Sequence, residues 1–260
     1  MDATVTAMIH LPPLPGAGNY SGIPVRELID RAATEADMLN QGGFSALMLQ
    51  NTHDAPTRAT VPPATLTAMA AIGQAVSSAF PGAVGINVHK NDGPGAVAVA
   101  HAIGAGFVRV KVLVGAVLGP EGILEGNADA VHQLRRNLGS DVEIWADLGE
   151  LTSIPLTPVP LGVQADWAAR FGGADRLIIT EADVATSTVS VSAARGGTDV
   201  PILIGGRTTP ENVTDALEIA DGVIVGSYLR SGGHTTADLD QRRITQFRDA
   251  LLARAQTAAR

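Results

Sequence analysis

Short runs of apolar and β-branched residues recur along the chain. Each is followed by a loop of Gly, Pro, Asn or Asp and then by an Ala-rich stretch whose apolar positions have helical spacing. The runs are Val5–Ile9, Ala46–Leu49, Gly85–Val88, Val108–Leu113, Glu143–Ala146, Arg176–Thr180, Pro201–Ile204 and Gly222–Val225. Separations of about 20 to 40 residues leave room for one helix between consecutive strands, which is the mark of a repeated βα unit. Eight such units predict an α/β protein folded as a single (β/α)8 TIM barrel over residues 1–260, close to the usual size of that fold. A six-stranded doubly wound sheet would leave two good strands unused.

The punctuation agrees with this parse. Glycines at Gly42-Gly43, Gly104–Gly106 and Gly172-Gly173 fall where helices should stop before the next strand. Thr209-Pro210-Glu211-Asn212 reads as an N-cap with proline at the first helical position. Asp238–Ala255 reads as a closing amphipathic helix through Leu239, Ile244, Phe247 and Leu251, and Ser153–Val163, with three prolines, as an irregular loop after the fifth strand.

Composition narrows the function. The chain is 45% hydrophobic and 17% charged, with aromatics at only 3%, so the core must be filled by Ala, Val, Ile and Leu. A net charge of −8, with no Lys/Arg cluster, argues against nucleic acid as a partner. Lysine occurs only at Lys90 and Lys111. The absence of cysteine removes disulfides, thiolate metal sites and a Cys nucleophile. The start MDATVTAMIHLPPLPG has no basic region ahead of an apolar run, and no apolar stretch reaches the roughly 18 residues of a membrane helix, so a cytoplasmic location is expected.

Two segments carry the strongest chemistry. PILIGGRTTPENV (Pro201–Val213) and ADGVIVGSYLR (Ala220–Arg230) are each an apolar strand, a glycine turn and an expected helix start. Glycine lets backbone N–H groups approach an anion closely, and a helix N-terminus adds partial positive charge. In barrels the phosphate site lies after strands 7 and 8, which these are in order. Gly205, Gly206, Arg207, Gly226 and Ser227 are therefore the expected phosphate-binding residues, in a pair of turns resembling the phosphate motif of ribulose-phosphate-binding barrels. Alone, either turn could be simply a tight turn.

The other barrel strands end in polar groups, where catalytic residues of this fold are placed. The first ends at His10. The second leads to Gln50, Asn51, His53 and Asp54, and the third to Asn87, His89, Asn91 and Asp92. The fourth carries Arg109 and Lys111, the fifth leads to Asp147 and Glu150, and the sixth to Thr180, Glu181 and Asp183. Asp147, Lys111, His10, Asp54, Asp92 and Glu181 are the catalytic candidates; Asn51, Asn87, His89 and Thr180 are candidate substrate contacts. Asp54 and Asp92 equally suit turn or helix capping. Arg109 and Lys111 share one strand face, either the barrel interior or the helix side, and a buried cation needs an anion. His101 and His132 fall on helices and read as surface residues. No cofactor is expected. No metal-ligand motif occurs, and a Mg2+ held by Asp54, Asp92 and Asp147 is an option that no motif supports.

The order and spacing of AMIHLPPLPG (Ala7–Gly16), QNTHDAP (Gln50–Pro56), GINVHKND (Gly85–Asp92), RVKVLVGA (Arg109–Ala116), GILEG (Gly122–Gly126) and ADGVIVGS (Ala220–Ser227) resemble the BtpA/SgcQ family over nearly the whole chain. The resemblance implies the same ribulose-phosphate-binding barrel, and no single reaction. It also implies departures. Gln50 stands where members carry an acid, Lys111 where Asn is usual, and ADLGELTS retains Asp147 but lacks the usual His and Lys. Thr180-Glu181 replaces a Thr-Gly turn, and Gly205-Gly206-Arg207 a Gly-Ser-Gly. The phosphate side is kept while the opposite rim is rewritten, as in a divergent member with its own substrate.

The leading expectation is an enzyme acting on a small phosphorylated sugar or nucleotide-like compound by isomerisation, lyase or glycosidic-bond chemistry. Lys111 would stabilise developing negative charge. The rivals are a non-catalytic assembly factor of the kind the family's name implies, with an exposed apolar patch for its partner, and a phosphate-ligand sensor. A homo-oligomer is expected from the fold by analogy.

Overall fold

The computed structural model of the chain describes residues 3–149 and 151–258. Its elements run β1 (Thr4–His10), α1 (Val25–Asn40), β2 (Ala46–Gln50), α2 (Pro63–Ala79), β3 (Ala83–Asn87), α3 (Gly93–Ile103), β4 (Phe107–Val110), β5 (Ala116–Gly119), β6 (Gly122–Glu125), α4 (Ala128–Asn137) and β7 (Glu143–Asp147). Then follow β8 (Ile154–Pro155), α5 (Leu161–Asp166), β9 (Arg176–Ile179), α6 (Val184–Arg195), β10 (Ile202–Gly205), α7 (Val213–Ile219), β11 (Gly222–Val225) and α8 (Gln241–Ala258). Eight strands close in the order β1-β11-β10-β9-β7-β4-β3-β2, with the adjacent pairs parallel. Every run read as a barrel strand is one, and the chain is a (β/α)8 barrel.

Side chains alternate between two environments, as the period of a strand requires. Met8, Ala46, Met48, Phe107, Trp145, Ile178, Leu203 and Ile224 form a separate buried cluster inside the barrel. The outer core, between strands and helices, is mostly Val, Leu, Ile and Ala. Two of the few aromatics thus plug the barrel, Phe107 and Trp145 stacking at 3.7 Å between ring centroids. Below them Arg176 Nε donates to Glu143 at 3.0 Å and Trp145 Nε1 to the same carboxylate oxygen at 2.8 Å, sealing the end opposite the functional mouth.

Five expectations are corrected. The fourth strand ends at Val110 rather than Leu113, so Lys111 lies just past it. The helix after β10 begins at Val213, because Thr209–Asn212 closes a turn of its own: Asn212 Oδ1 accepts the Thr209 amide at 2.8 Å. No α-helix directly follows Gly226; the 3-10 turns Ser227–Leu229 and Ser231–Gly233 do, and α8 starts at Gln241 rather than Asp238. The Ser153–Val163 loop is partly ordered. Its β8 pairs with β5, which also pairs with β6, making a small sheet above the mouth.

Candidate functional site

The interior parity of each barrel strand carries one residue up to the C-terminal mouth. Going round, these are His10, Gln50, Asn87, Arg109, Asp147, Thr180, Gly205 and Gly226. The two glycines lie side by side on β10 and β11, and their missing side chains are replaced by neighbours. A Cβ on Gly226 would stand 2.8 Å from His10 Cε1, and one on Gly205 2.4 Å from Thr180 Oγ1. His10 Nδ1 and Thr180 Oγ1 are buried and have no hydrogen-bond partner among the described residues. The unsatisfied Thr180 Oγ1 therefore lies beside the bare Gly205 backbone, and the His10 ring, whose Nδ1 is unsatisfied, stands with its Cε1–Nε2 edge over that of Gly226, an arrangement a polar ligand would complete.

The turn after β10 is tightly wound. Gly206 (φ +74°) and Arg207 (φ +58°) are both left-handed, and among the described residues Arg207 is the non-glycine one in that region. The Gly206 amide is taken by Ile224 O at 3.0 Å, so Gly206 offers space rather than a donor. The backbone donors left by the turn are those of Arg207 and Thr208, which no described group accepts. Arg207 is exposed and Ser227 is half-buried. With α7 short and beginning only at Val213, the segment after β10 presents turn amides rather than a helix N-terminus.

His10 also borders a cavity of about 390 Å³ with Asn19, Arg31, His53 and Thr235. Burial, then the nearby Arg230, His53 and Arg109 charges, push its pKa down to about 3, so the ring is neutral over the physiological range. Arg230 is fully buried. It donates to both oxygens of Glu35, at 3.1 and 2.7 Å, and to Ala237 O at 2.8 Å, pinning the segment after β11 to α1.

On the other rim, Arg109 and Lys111 both face inward and both meet Asp147. Arg109 Nε and Nη2 donate to its two oxygens at 2.8 and 2.9 Å, and Lys111 Nζ lies 3.1 Å from Oδ2. Asp147 thus aligns two cations. Lys90, also buried, contacts Thr152 Oγ1 in the loop after β7.

The remaining candidates hold loops together. Asp54 accepts the Leu14 amide and Asn51 Nδ2, both at 2.8 Å; burial raises its pKa against these bonds. Asn51 also takes the His89 amide at 2.6 Å. Asp92 caps α3 through Gly95 N at 2.9 Å and accepts Val61 N at 3.0 Å. Glu181 accepts from Ser190 on α6 at 2.7 Å, and Asp183 caps α6. Asn91 takes the Val112 amide at 2.8 Å. Asn87 donates to Arg109 O at 2.8 Å and keeps Oδ1 unpartnered at the mouth, while His89 lines a narrow crevice beside Asp54. His101 is exposed; His132 is half-buried against Gly172 O at 2.7 Å. Glu150 lies outside the described residues. Asp54, Asp92 and Asp147 sit in three separate bonding sets, and no metal-sized cluster of His, Asp and Glu occurs among the described residues.

Sequence reasoning did not anticipate a pocket of about 490 Å³ beside Lys111 and Asp147, walled by the first residues of β5, by Leu148, Gly149 and residues 153–159 of the loop after β7, and by Trp167. Its one advance sign was Trp167, four residues before Phe171 in a chain poor in aromatics.

Among solved structures the chain is similar to a thiamine phosphate pyrophosphorylase from Pyrococcus furiosus (TM-score 0.60, 14% identity, covering 97% of this chain and 96% of that one). It is also similar to a 3-hexulose-6-phosphate synthase (TM-score 0.59, 14% identity, 95% and 99%). At such identities the likeness is one of fold. No helix among the described residues is long and apolar enough to cross a membrane. The photosystem I biogenesis protein BtpA of Synechocystis sp. is 33% identical over 254 residues, covering 95% of this chain and 87% of that protein. The BtpA family model matches residues 1–252, from the first strand into the last helix, and the chain belongs to the BtpA family.

Proposed function

We propose that the chain is an enzyme acting on a small phosphorylated sugar or nucleotide-like substrate. The observation that carries this reading is the unsatisfied Thr180 Oγ1 beside the bare backbone of Gly205, next to the buried His10 ring that covers Gly226 and keeps its own Nδ1 unsatisfied. The phosphate sits at this pair, held by the amides of Arg207 and Thr208 and by the Arg207 side chain.

His10, neutral and desolvated, is the acid/base group. A phosphate dianion arriving beside it opposes the cations that depress its pKa and so raises its proton affinity when substrate is present. Lys111, aligned by Asp147, stabilises negative charge developing at the sugar end. The likeness to barrels whose names include thiamine phosphate and hexulose 6-phosphate supports a phosphorylated substrate. Isomerisation, carbon–carbon cleavage and glycosidic-bond chemistry all fit a neutral base facing an aligned cation across one mouth.

The test is thermal unfolding with ribose 5-phosphate, ribulose 5-phosphate and AMP, each beside its unphosphorylated form. A ligand at 100 times its Kd adds about 2.7 kcal/mol of stability. No shift with any phosphorylated compound overturns the reading.

A second reading, a protein-assembly factor, draws on the small sheet. Leu118, Ile123 and Ile154 are paired across β5, β6 and β8 and are 45%, 60% and 64% exposed. Such an apolar face suits a protein partner or a second copy of the chain. Sedimentation of the wild type and of an Ile123→Glu/Ile154→Glu variant tests it; a single unchanged monomeric species for both counts against self-association.

A further inference from the structure

The pocket beside Lys111 has a built shape. One wall is the start of β5 and the other the loop after β7. They are stitched together by β8, with Val117 opposite Pro155 in register and the Leu156 amide donating to Ala116 O at 3.2 Å. Lys90 ties the same loop down through Thr152. The third wall is a π turn, Trp167–Phe171, closed by the Gly172 amide on Trp167 O at 2.8 Å. Such wide turns recur where a helix is reshaped around a site. This one presents the Trp167 indole, 39% exposed, to the cavity.

The lining is unequal in chemistry. Val114, Val117, Leu148, Pro155, Leu156 and Trp167 make the walls apolar, while Lys111 stands at the base. Its ammonium, beside Asp147, is the cationic group of the lining, which favours a ligand with an electron-rich edge there. Cavities of several hundred Å³ with apolar walls and a few fixed polar groups are the usual form of small-molecule sites. A long aliphatic chain would not need the donor, and a bare sugar would not need the walls.

We propose that this pocket binds a flat, largely apolar ring carrying a hydrogen-bond acceptor on the edge turned to Lys111, with Trp167 against its face. The acceptor is a ring carbonyl, a ring nitrogen or a carboxylate. The pocket and the glycine pair open on the same mouth, with β9 the strand between β7 and β10, so one ligand carries both ring and phosphate. Only this last step rests on the phosphate reading; the ring site stands without it.

The probe is 2-naphthoate, with acetate as an acceptor lacking the ring, followed by isothermal titration and intrinsic fluorescence. The wild type binds 2-naphthoate and not acetate, with a change in emission that is absent from Trp167→Phe. Trp167→Ala, at a half-exposed position where folding is safe, weakens binding at least tenfold, and Lys111→Gln does so by about tenfold. Gly226→Asp, which blocks the phosphate site, leaves 2-naphthoate binding within twofold. Absence of binding to folded wild type at millimolar probe overturns the ring site, as does an unchanged Kd in Trp167→Ala. Absence of any phosphate-dependent stabilisation in the wild type, with 2-naphthoate binding intact, would overturn the phosphate reading alone.

Discussion

The two sides of the barrel mouth are built on opposite principles. At β10 and β11 the site is made by leaving side chains out: two glycines, a left-handed turn and backbone amides, with His10 and Thr180 leaning in from neighbouring strands. At β4 and β7 it is made by adding groups, namely a hairpin, a paired loop, a π turn and a buried set of Arg109, Lys111 and Asp147. A site of omission depends on a few local residues and tolerates little new volume. A site of addition depends on contacts between segments far apart in sequence, and fails when one partner is removed. The contrast has measurable consequences.

The largest is acid sensitivity on the glycine side. His10 has a folded-state pKa near 3 against an ordinary value of 6.5, so only the unfolded chain takes up its proton between those limits. Its contribution is complete above pH 6.5 and is lost as pH falls towards 3, on the order of 5 kcal/mol in all. Denaturant unfolding from pH 7 to 4 should show this slope, and His10→Gln should flatten it. Equal slopes in both proteins would mean that the ring is not desolvated as described.

Next comes the charged side. Asp147→Ala leaves Arg109 and Lys111 without their shared anion and should cost about 3 to 5 kcal/mol. Arg109→Met in the same chain should recover part of that loss, which a double-mutant cycle by denaturant unfolding would read. If the two changes simply add, the cluster is not the coupled unit its geometry implies.

Gly226→Asp comes third. It should erase the roughly 2.7 kcal/mol of stabilisation expected from a saturating phosphorylated ligand, since it places a carboxylate in the site and pushes on His10. Thermal unfolding with and without ribose 5-phosphate checks it.

The smallest effect concerns Arg207, a non-glycine residue at φ +58°. Arg207→Gly should relieve backbone strain of about 1 kcal/mol in the free protein while weakening phosphate binding. A variant that is more stable and binds less well would assign the side chain to the ligand. One that binds equally would leave the work to the backbone.

How much of this was legible in sequence follows the same divide. The glycine pairs at Gly205-Gly206 and Gly226-Ser227 were visible because a short strand followed by a glycine turn is a local pattern. What failed there was also local: the expected helix start at Pro210 gave way to a self-closed turn, since Asn212 is used to accept the Thr209 amide. On the charged side Asp147 and Lys111 could be named, but not that they and Arg109 bind one another, because strand register decides which side chains meet. Asp54, Asp92 and Glu181 looked like catalytic carboxylates for the same reason. Only the tertiary structure shows them accepting from Leu14, Gly95 and Ser190. Trp167 gave no role in sequence, because its pocket exists only where β8 pairs with β5.

The chain's own pattern therefore determined the eight strands, their order and the end of the barrel at which polar groups gather. Alternation along a strand and helical spacing between strands depend on neighbours close in sequence. The tertiary structure decided which polar groups are spent on each other and which are left unsatisfied. That choice turns on distances between different strands and loops: His10 and Thr180 are left over beside two glycines, while Asp147 is claimed by two cations.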